Sequence, residues 1–190
     1  PHAPYTVSDA TFQRVRALAD ELDLPIHTHV HETVTEIREA VAEHGMRPLA
    51  RLARLGVLGE NLIAVHAVHL DDTDIELLAH HGCSVAHCPT SNMKLGSGIA
   101  PATRLLSAGI RLGLGSDGAA SNNRIDLFQE MRHAALLAKA STLDASALPA
   151  HTALHMATLG GARALGLDDR IGSISPGKSA DLCAVDLGGP

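Results

Sequence analysis

The sequence contains no tryptophan, one tyrosine and two phenylalanines. So few rings cannot form the stacking platform on which proteins hold single-stranded nucleic acid. The three cysteines, Cys83, Cys88 and Cys183, are odd in number and lack C-x-x-C spacing. That fits a reduced, cytoplasmic setting better than a disulfide scaffold. No apolar run reaches the roughly 18 to 20 residues of a membrane span. Net charge is −6 with histidine neutral, and no block of like charge stands out. Neither nucleic acid nor an anionic membrane surface is therefore expected as a partner. No serine sits in a G-x-S-x-G elbow, so nucleophilic serine chemistry has no support.

The unusual abundance is histidine, with thirteen copies in 190 residues. Histidine is the commonest metal ligand and titrates near neutrality, so the excess invites a metal hypothesis. A 45% hydrophobic chain of this length holds one ordinary domain with its own core. The opening "PHAPYTVSDATF" runs straight into a helix onset, and the chain is expected to be part of a longer one.

Short apolar runs alternate with helical periodicity along the chain. Strands are expected over 25–30, 61–68, 83–88 and 110–117. Helices are expected over about 9–23, 33–44, 47–55, 71–81, 100–108, 124–140 and 149–165. In the first helix Phe12, Val15, Leu18, Ala19 and Leu22 form the expected buried stripe, behind Ser8 and Asp9 as caps. "PTSNMKLGSG" and "GAASNN" read as loop and turn, and the tail from 173 as a turn plus a β-strand. Strand–helix units with short connections imply parallel strands and right-handed crossovers. A doubly wound sheet and a (β/α)8 barrel both satisfy this. An open sheet gathers its ligand contacts at one switch point, often with a glycine-rich phosphate loop, and no such loop is expected here. Polar residues stand instead at successive strand ends: His29 with Glu32, His66, His87 and Asp117. A barrel places its chemistry there, so half of a barrel is favoured.

A hydrolytic metal site needs imidazole or carboxylate ligands, an open position for water and a group that moves protons. In "HTHVHET" strand alternation sends His27, His29 and His31 to one face, and Glu32 follows where the chain leaves the strand. His66 caps another strand and Asp117 a further one. His27 reads as a packed neighbour of His29, His31 as loop support or pocket lining, and His69 as structural. His87 is a pocket-rim candidate. His151 and His155 have helical i, i+4 spacing but no H-E-x-x-H glutamate, so they read as surface residues. His44, His80, His81 and His133 read as exposed, and Ser91, Asn92, Gly96 and Gly98 as loop and turn formers.

"HTHVHET", "VHAVHL", "AHCPTSNMKLGSG" and "LGSDGAASNNRIDLF" together resemble the amidohydrolase superfamily in its chlorohydrolase-like branch. Within it they look most like deaminases of 5-methylthioadenosine and S-adenosylhomocysteine. The likeness extends through "MATLGGARALGL" and "GSISPGKSADL". It implies an α/β fold, the C-terminal half of a (β/α)8 barrel over 1–172, with 173–190 returning toward a small flanking β-sandwich. It implies one divalent metal, Zn²⁺ with Fe²⁺ or Mn²⁺ as alternatives, held by His29 and Asp117. Glu32 becomes the proton shuttle, His66 the residue orienting water or leaving group, and His2 a contact to the purine ring. Asp117 doubles as a base. The implied reaction replaces the 6-amino group of an adenine nucleoside or thioether by oxygen and releases ammonia. The alternatives are a related member that deaminates guanine or a pterin or displaces chloride from a triazine, and an inactive fragment that lacks the first-strand H-x-H pair. A small-molecule substrate and a homo-oligomer are expected.

The register of strand ends agrees with the resemblance. If Asp117 closes the eighth strand, His29 stands on the fifth. Taking His27 and His29 as the first-strand H-x-H pair would put Asp117 on the fourth strand of a chain that then stops making strands. The family's H-x-H pair, two further metal ligands, has no counterpart before residue 27.

Overall fold

A computed structural model describes residues 1–186 and Gly188. Its sheet has four parallel strands, β1 (Ile26–Val30), β2 (Leu62–His66), β3 (Ser84–His87) and β4 (Arg111–Leu114), in the order β1-β2-β3-β4. Each new strand is laid beside the one before it. A doubly wound sheet reverses direction at a switch point, whereas a barrel steps one way round. The strand order therefore supports the half-barrel reading.

Pairing sets two kinds of row across the sheet. Thr28, Ala64, Val85 and Leu112 share one row, and all four are buried. The next row, His29, Val65 and Ala86, lines a cavity on the other face. Strand alternation thus sets most of the core on one face and the site on the other, with Thr28 of the buried row also reaching the cavity. The connecting helices are α1 (Asp9–Leu22), α2 (Val34–His44), α3 (Pro48–Arg54), α4 (Asp72–His80), α5 (Pro89–Lys94) and α6 (Ala102–Ser107), followed by α7 (Ala119–Asn122), α8 (Leu127–Thr142), α9 (Ala150–Ala157) and α10 (Leu159–Ala164). Side chains cap them locally. Ser8 accepts from Thr11 N, Thr33 from Glu36 N, and Asp71 and Asp74 cap each other's backbone reciprocally.

Several expectations need correction. The helix expected over 149–165 is two, broken at Thr158 (φ −124, ψ −103). Apolar periodicity does not sense this break, which the Gly160–Gly161 pair permits. A Cβ on Gly160 would stand 2.8 Å from His155 O, and one on Gly113 would stand 2.9 Å from Gly161 Cα. Bare glycines thus let α10 lie directly on β4. "PTSNMK" and "AASN" form the short helices α5 and α7 rather than loop and turn. On α1, Phe12 and Ala19 are buried and Val15 packs against them, but Leu18 and Leu22 are exposed. No strand forms among the described residues of the tail, where Leu182 and Val185 are exposed and no second strand stands alongside to pair with them. Residues 187, 189 and 190 of the expected return segment lie outside the described residues.

The expectation that glycine-rich phosphate-loop motifs are missing is wrong as to spacing, because two stretches have it. Gly113-x-Gly115-x-x-Gly118 has the dinucleotide-loop spacing, and Gly172-x-x-x-x-Gly177-Lys178-Ser179 that of a phosphate loop. The first serves packing, with Gly113 against Gly161 and Gly115 against Cys88 Sγ. The second follows no strand and opens no helix, and Lys178 Nζ is spent on the carbonyls of Asp168 and Ile171. Neither is a phosphate cradle.

Candidate active site

The chemistry-bearing residues stand where the strands end and the backbone turns. Three of these positions hold left-handed conformations that non-glycine residues rarely adopt: His31 (φ 56), His66 (φ 71) and Asp117 (φ 58). With Ala67 also left-handed at φ 47, β2 stops at His66, short of the expected residue 68. Such strain persists only where surrounding contacts fix it.

His29 is fixed by the N-terminal segment. The carbonyl oxygen of His2 accepts from His29 N (3.0 Å), from Thr28 Oγ1 (3.0 Å) and from the His29 ring at Nδ1 (2.8 Å). A carbonyl only accepts, so Nδ1 carries the proton and the Nε2 lone pair is free for a metal. The His2 ring lies 4.7 Å from that of His29, and Tyr5 Oη is 3.3 Å from His2 Nε2. His29 and His66 stack at 5.3 Å with an interplanar angle of 21°. His66, fully buried, donates from Nδ1 to Asn92 Oδ1 at 2.8 Å, which leaves Nε2 facing Glu32 Oε2 at 3.9 Å. Glu32 also receives Ser97 Oγ at 3.4 Å.

Asp117 accepts from Ser91 Oγ at 2.6 Å and from Gly118 N at 2.7 Å. Partial burial alone would raise its pKa. The Ser91 and Gly118 bonds, with Ser121 and nearby His66, outweigh that and hold it below the ordinary carboxylate value. His29 and Asp117 line one cavity of about 260 Å³ together with His27, Thr28, Val65, Ala86, Cys88 and Gly115. Cys88 is inert there, since burial and the carboxylates of Asp117 and Glu130 push its thiol up to about 12.

The structure thus brings His2, His29, Glu32, His66 and Asp117 together at one end of the sheet. Among the described residues no group of three or more His, Cys, Asp or Glu side chains is placed to hold a metal. His29 with Asp117 is a nitrogen–carboxylate pair of the right chemistry for zinc, with fewer donors than a complete site requires.

The remaining histidines divide clearly. His31 is fully buried and structural: Leu49 N–H donates to its Nε2 (3.1 Å), so Nδ1 bears the proton and gives it to His69 O (3.1 Å). His69 Nε2 contacts Ser97 O at 2.6 Å, a structural role as expected. His27 shares the cavity with His29 but is exposed rather than packed, and partial burial followed by the proximity of His29 lowers its pKa. His87 is buried with Nδ1 unpartnered, and burial, then His66, lowers it to about 4. His133, expected as exposed, is half-buried on Thr90 Oγ1 at 2.7 Å. Ser91 and Asn92, expected as loop formers, hold Asp117 and His66. Only the fold, which turns "PTSN" into a helix over the strand ends, assigns them that work.

Comparison with known proteins bears on the family and the fold. The Amidohydrolase family profile matches residues 1–190. A 5-methylthioadenosine/S-adenosylhomocysteine deaminase of Teredinibacter turnerae is 49% identical over 187 residues, covering 98% of this chain and 42% of that protein. The crystal structure of an adenosine deaminase from Xanthomonas campestris with bound zinc superposes with a TM-score of 0.93 at 59% identity, over 95% of this chain and 41% of that one. Atrazine chlorohydrolase from Arthrobacter aurescens TC1 complexed with zinc superposes with a TM-score of 0.86 at 30% identity, over 91% and 38%. The chain spans less than half the length of each of these proteins. With a profile match along its whole length and a sheet that steps as a barrel does, the chain belongs to the amidohydrolase family.

Proposed function

We propose that this chain supplies the proton-handling half of a metal-dependent aminohydrolase site. The substrate is an adenine nucleoside or thioether of the 5-methylthioadenosine and S-adenosylhomocysteine class. The carrying observation is the pairing of His29 and Asp117 in one cavity with Glu32 and His66 adjoining. His29 Nε2 and the Asp117 carboxylate would hold the metal, and zinc suits that donor pair, with Fe²⁺ or Mn²⁺ as alternatives. When bound, the metal lowers the pKa of water from 15.7 to about 7. Asp117 accepts the proton of the water that adds at C6. Glu32 shuttles the other proton of that water to the ring nitrogen, and Asp117 returns the one it accepted to the departing amine, which leaves as ammonia. His66 orients the incoming oxygen through Nε2, and the His2 ring adjoins the purine. Acid–base help of this kind contributes typically 10²–10⁴-fold.

The remaining metal donors, the H-x-H pair of the family, belong to the longer parent in this reading. So does the rest of the small β-sandwich that residues 173–190 would join. A homo-oligomer in a reducing, cytoplasmic setting completes the proposal; buried thiols at Cys83 and Cys88 suit it, and no helix among the described residues is long and apolar enough to cross a membrane. A second reading, triazine dechlorination, is favoured by the similarity to the atrazine chlorohydrolase and would use the same side chains.

The deciding experiment measures metal content and the absorbance change of 5-methylthioadenosine with the full-length parent, using Glu32→Gln as control. One metal per chain, turnover, and its loss in the variant are expected. A metal-loaded parent that is inert toward adenine nucleosides but releases chloride from a triazine would overturn the substrate in favour of the second reading.

A further inference from the structure

Glu130 lies in the first turn of α8 and is buried, with 1% exposure. A carboxylate is costly to bury unless donors satisfy both oxygens. Glu130 meets that condition with donors from two other helices. Its Oε2 accepts from Thr90 N of α5 at 3.1 Å, and its Oε1 from Asn122 Nδ2 of α7 at 2.8 Å. The same Asn122 amide also donates to Ser116 O at 2.6 Å. One turn further along α8, His133 Nδ1 meets Thr90 Oγ1 at 2.7 Å. One face of α8 therefore grips the first turn of α5 by both its amide and its hydroxyl.

The residues so gripped adjoin the site on both sides. Directly after Thr90 come Ser91, which donates to Asp117, and Asn92, which accepts from His66. Directly after Ser116 comes Asp117 itself. Every side-chain hydrogen bond that orients Asp117 from α5, and the one that sets the His66 tautomer, leads back within one or two residues to this carboxylate. Fixing a rotamer to within a fraction of an ångström requires such support, because loosely held groups lose reactive geometry.

We propose that Glu130 is a positioning residue for this site: through Thr90 and Asn122 it sets Ser91 and Asn92, and through them the orientation of Asp117 and the tautomer of His66. It touches neither substrate nor the proposed metal. The two groups facing it are both N–H donors, so it must offer two acceptors. An isosteric glutamine offers one acceptor and sets an N–H₂ against a donor. The inference rests on the deaminase reading for its kinetic consequence, but not for its structural one.

The test uses the full-length parent and Glu130→Gln, with Asn122→Ser as a second variant should the first fail to fold. Turnover of 5-methylthioadenosine is measured alongside thermal unfolding and the ¹⁵N resonances of the His66 ring, assigned by their change in Asn92→Ala. The expected result is a fall in kcat of roughly 10- to 100-fold with KM little changed, as for other residues that orient metal-site groups. With it, the His66 signal moves from a pure Nδ1–H form to a mixture of tautomers in a protein still folded at the assay temperature. An unchanged kcat, or a loss of kcat with the His66 signal unmoved, would overturn the proposal. A parent inert toward every adenine nucleoside, whose His66 signal nonetheless shifts in Glu130→Gln, would sink the deaminase reading and leave the positioning role standing.

Discussion

Ser91 Oγ donates to Asp117 Oδ2 at 2.6 Å, across 26 residues of sequence and from helix α5 to the loop beyond β4. This bond helps to hold the carboxyl below its ordinary pKa. Ser91→Ala removes one donor, so the Asp117 pKa should rise toward its ordinary value, since the bond to Ser91 is the leading cause that lowers it. In the parent we expect a loss of activity of roughly 10- to 100-fold, with the acidic limb of the kcat/KM profile moved to higher pH. A profile that keeps its acidic limb in place would refute the role of Ser91.

His29 and His31 lie two residues apart but should respond oppositely to truncation. The His29 ring offers a free Nε2, whereas both ring nitrogens of His31 are taken by Leu49 N and His69 O. His29→Ala should lower metal content with little change in Tm of the metal-free protein. His31→Ala opens a buried hole and orphans a backbone N–H, at a cost of about 3 kcal/mol. It should leave metal stoichiometry intact in whatever protein folds. Metal analysis and denaturant unfolding of both variants decide the matter.

How far the sequence was legible varies with the range of the interaction. Strand alternation in "PIHTHV" and the polar strand ends were local patterns, and the residues they singled out do gather at one end of the sheet. The break at Thr158 left no mark on apolar periodicity, and the close approach of Gly161 to Gly113 spans 48 residues. Ser91, Asn92 and Glu130 were invisible for the same reason: each is ordinary in its own segment and acquires its partner only when α5, α7 and α8 meet. His31 was half-legible. Its alternation pointed it toward the cavity, but its left-handed φ of 56 turns the ring into the packing between β1, α3 and α4.

The close approach of Gly113 to α10 should be sensitive to one methyl group. A Cβ there would stand 2.9 Å from Gly161 Cα, a backbone atom that cannot swing aside. Overpacking of this kind costs about 1–3 kcal/mol. Gly113→Ala should therefore lower the midpoint of urea unfolding. Gly118→Ala, where no atom lies within 4 Å of the added Cβ and no positive φ strains the backbone, should be close to neutral. Equal effects from the two substitutions would contradict the packing argument.

Acid should loosen the α3–α4 side of the domain first, through Asp74. Burial by itself would raise the pKa of this carboxyl, but hydrogen bonds to His31 and Arg47 outweigh it and hold the group at about 2 against a reference of 3.8. Arg47 reaches it from Nε at 2.9 Å and from Nη2 at 2.5 Å, and also donates to His69 O. Because the folded pKa lies below the unfolded one, the stabilisation is complete above pH 3.8 and disappears as pH falls toward 2. The shift corresponds to about 2 kcal/mol, discounted somewhat because Arg47 is partly exposed. Denaturant unfolding of the wild type and Asp74→Asn at pH 6, 4, 3 and 2 tests this, with the gap expected to be full at pH 6 and to narrow steadily below 4. A gap that stays constant across the series would show that the Asp74 charge contributes nothing, and that the variant acts through lost packing alone.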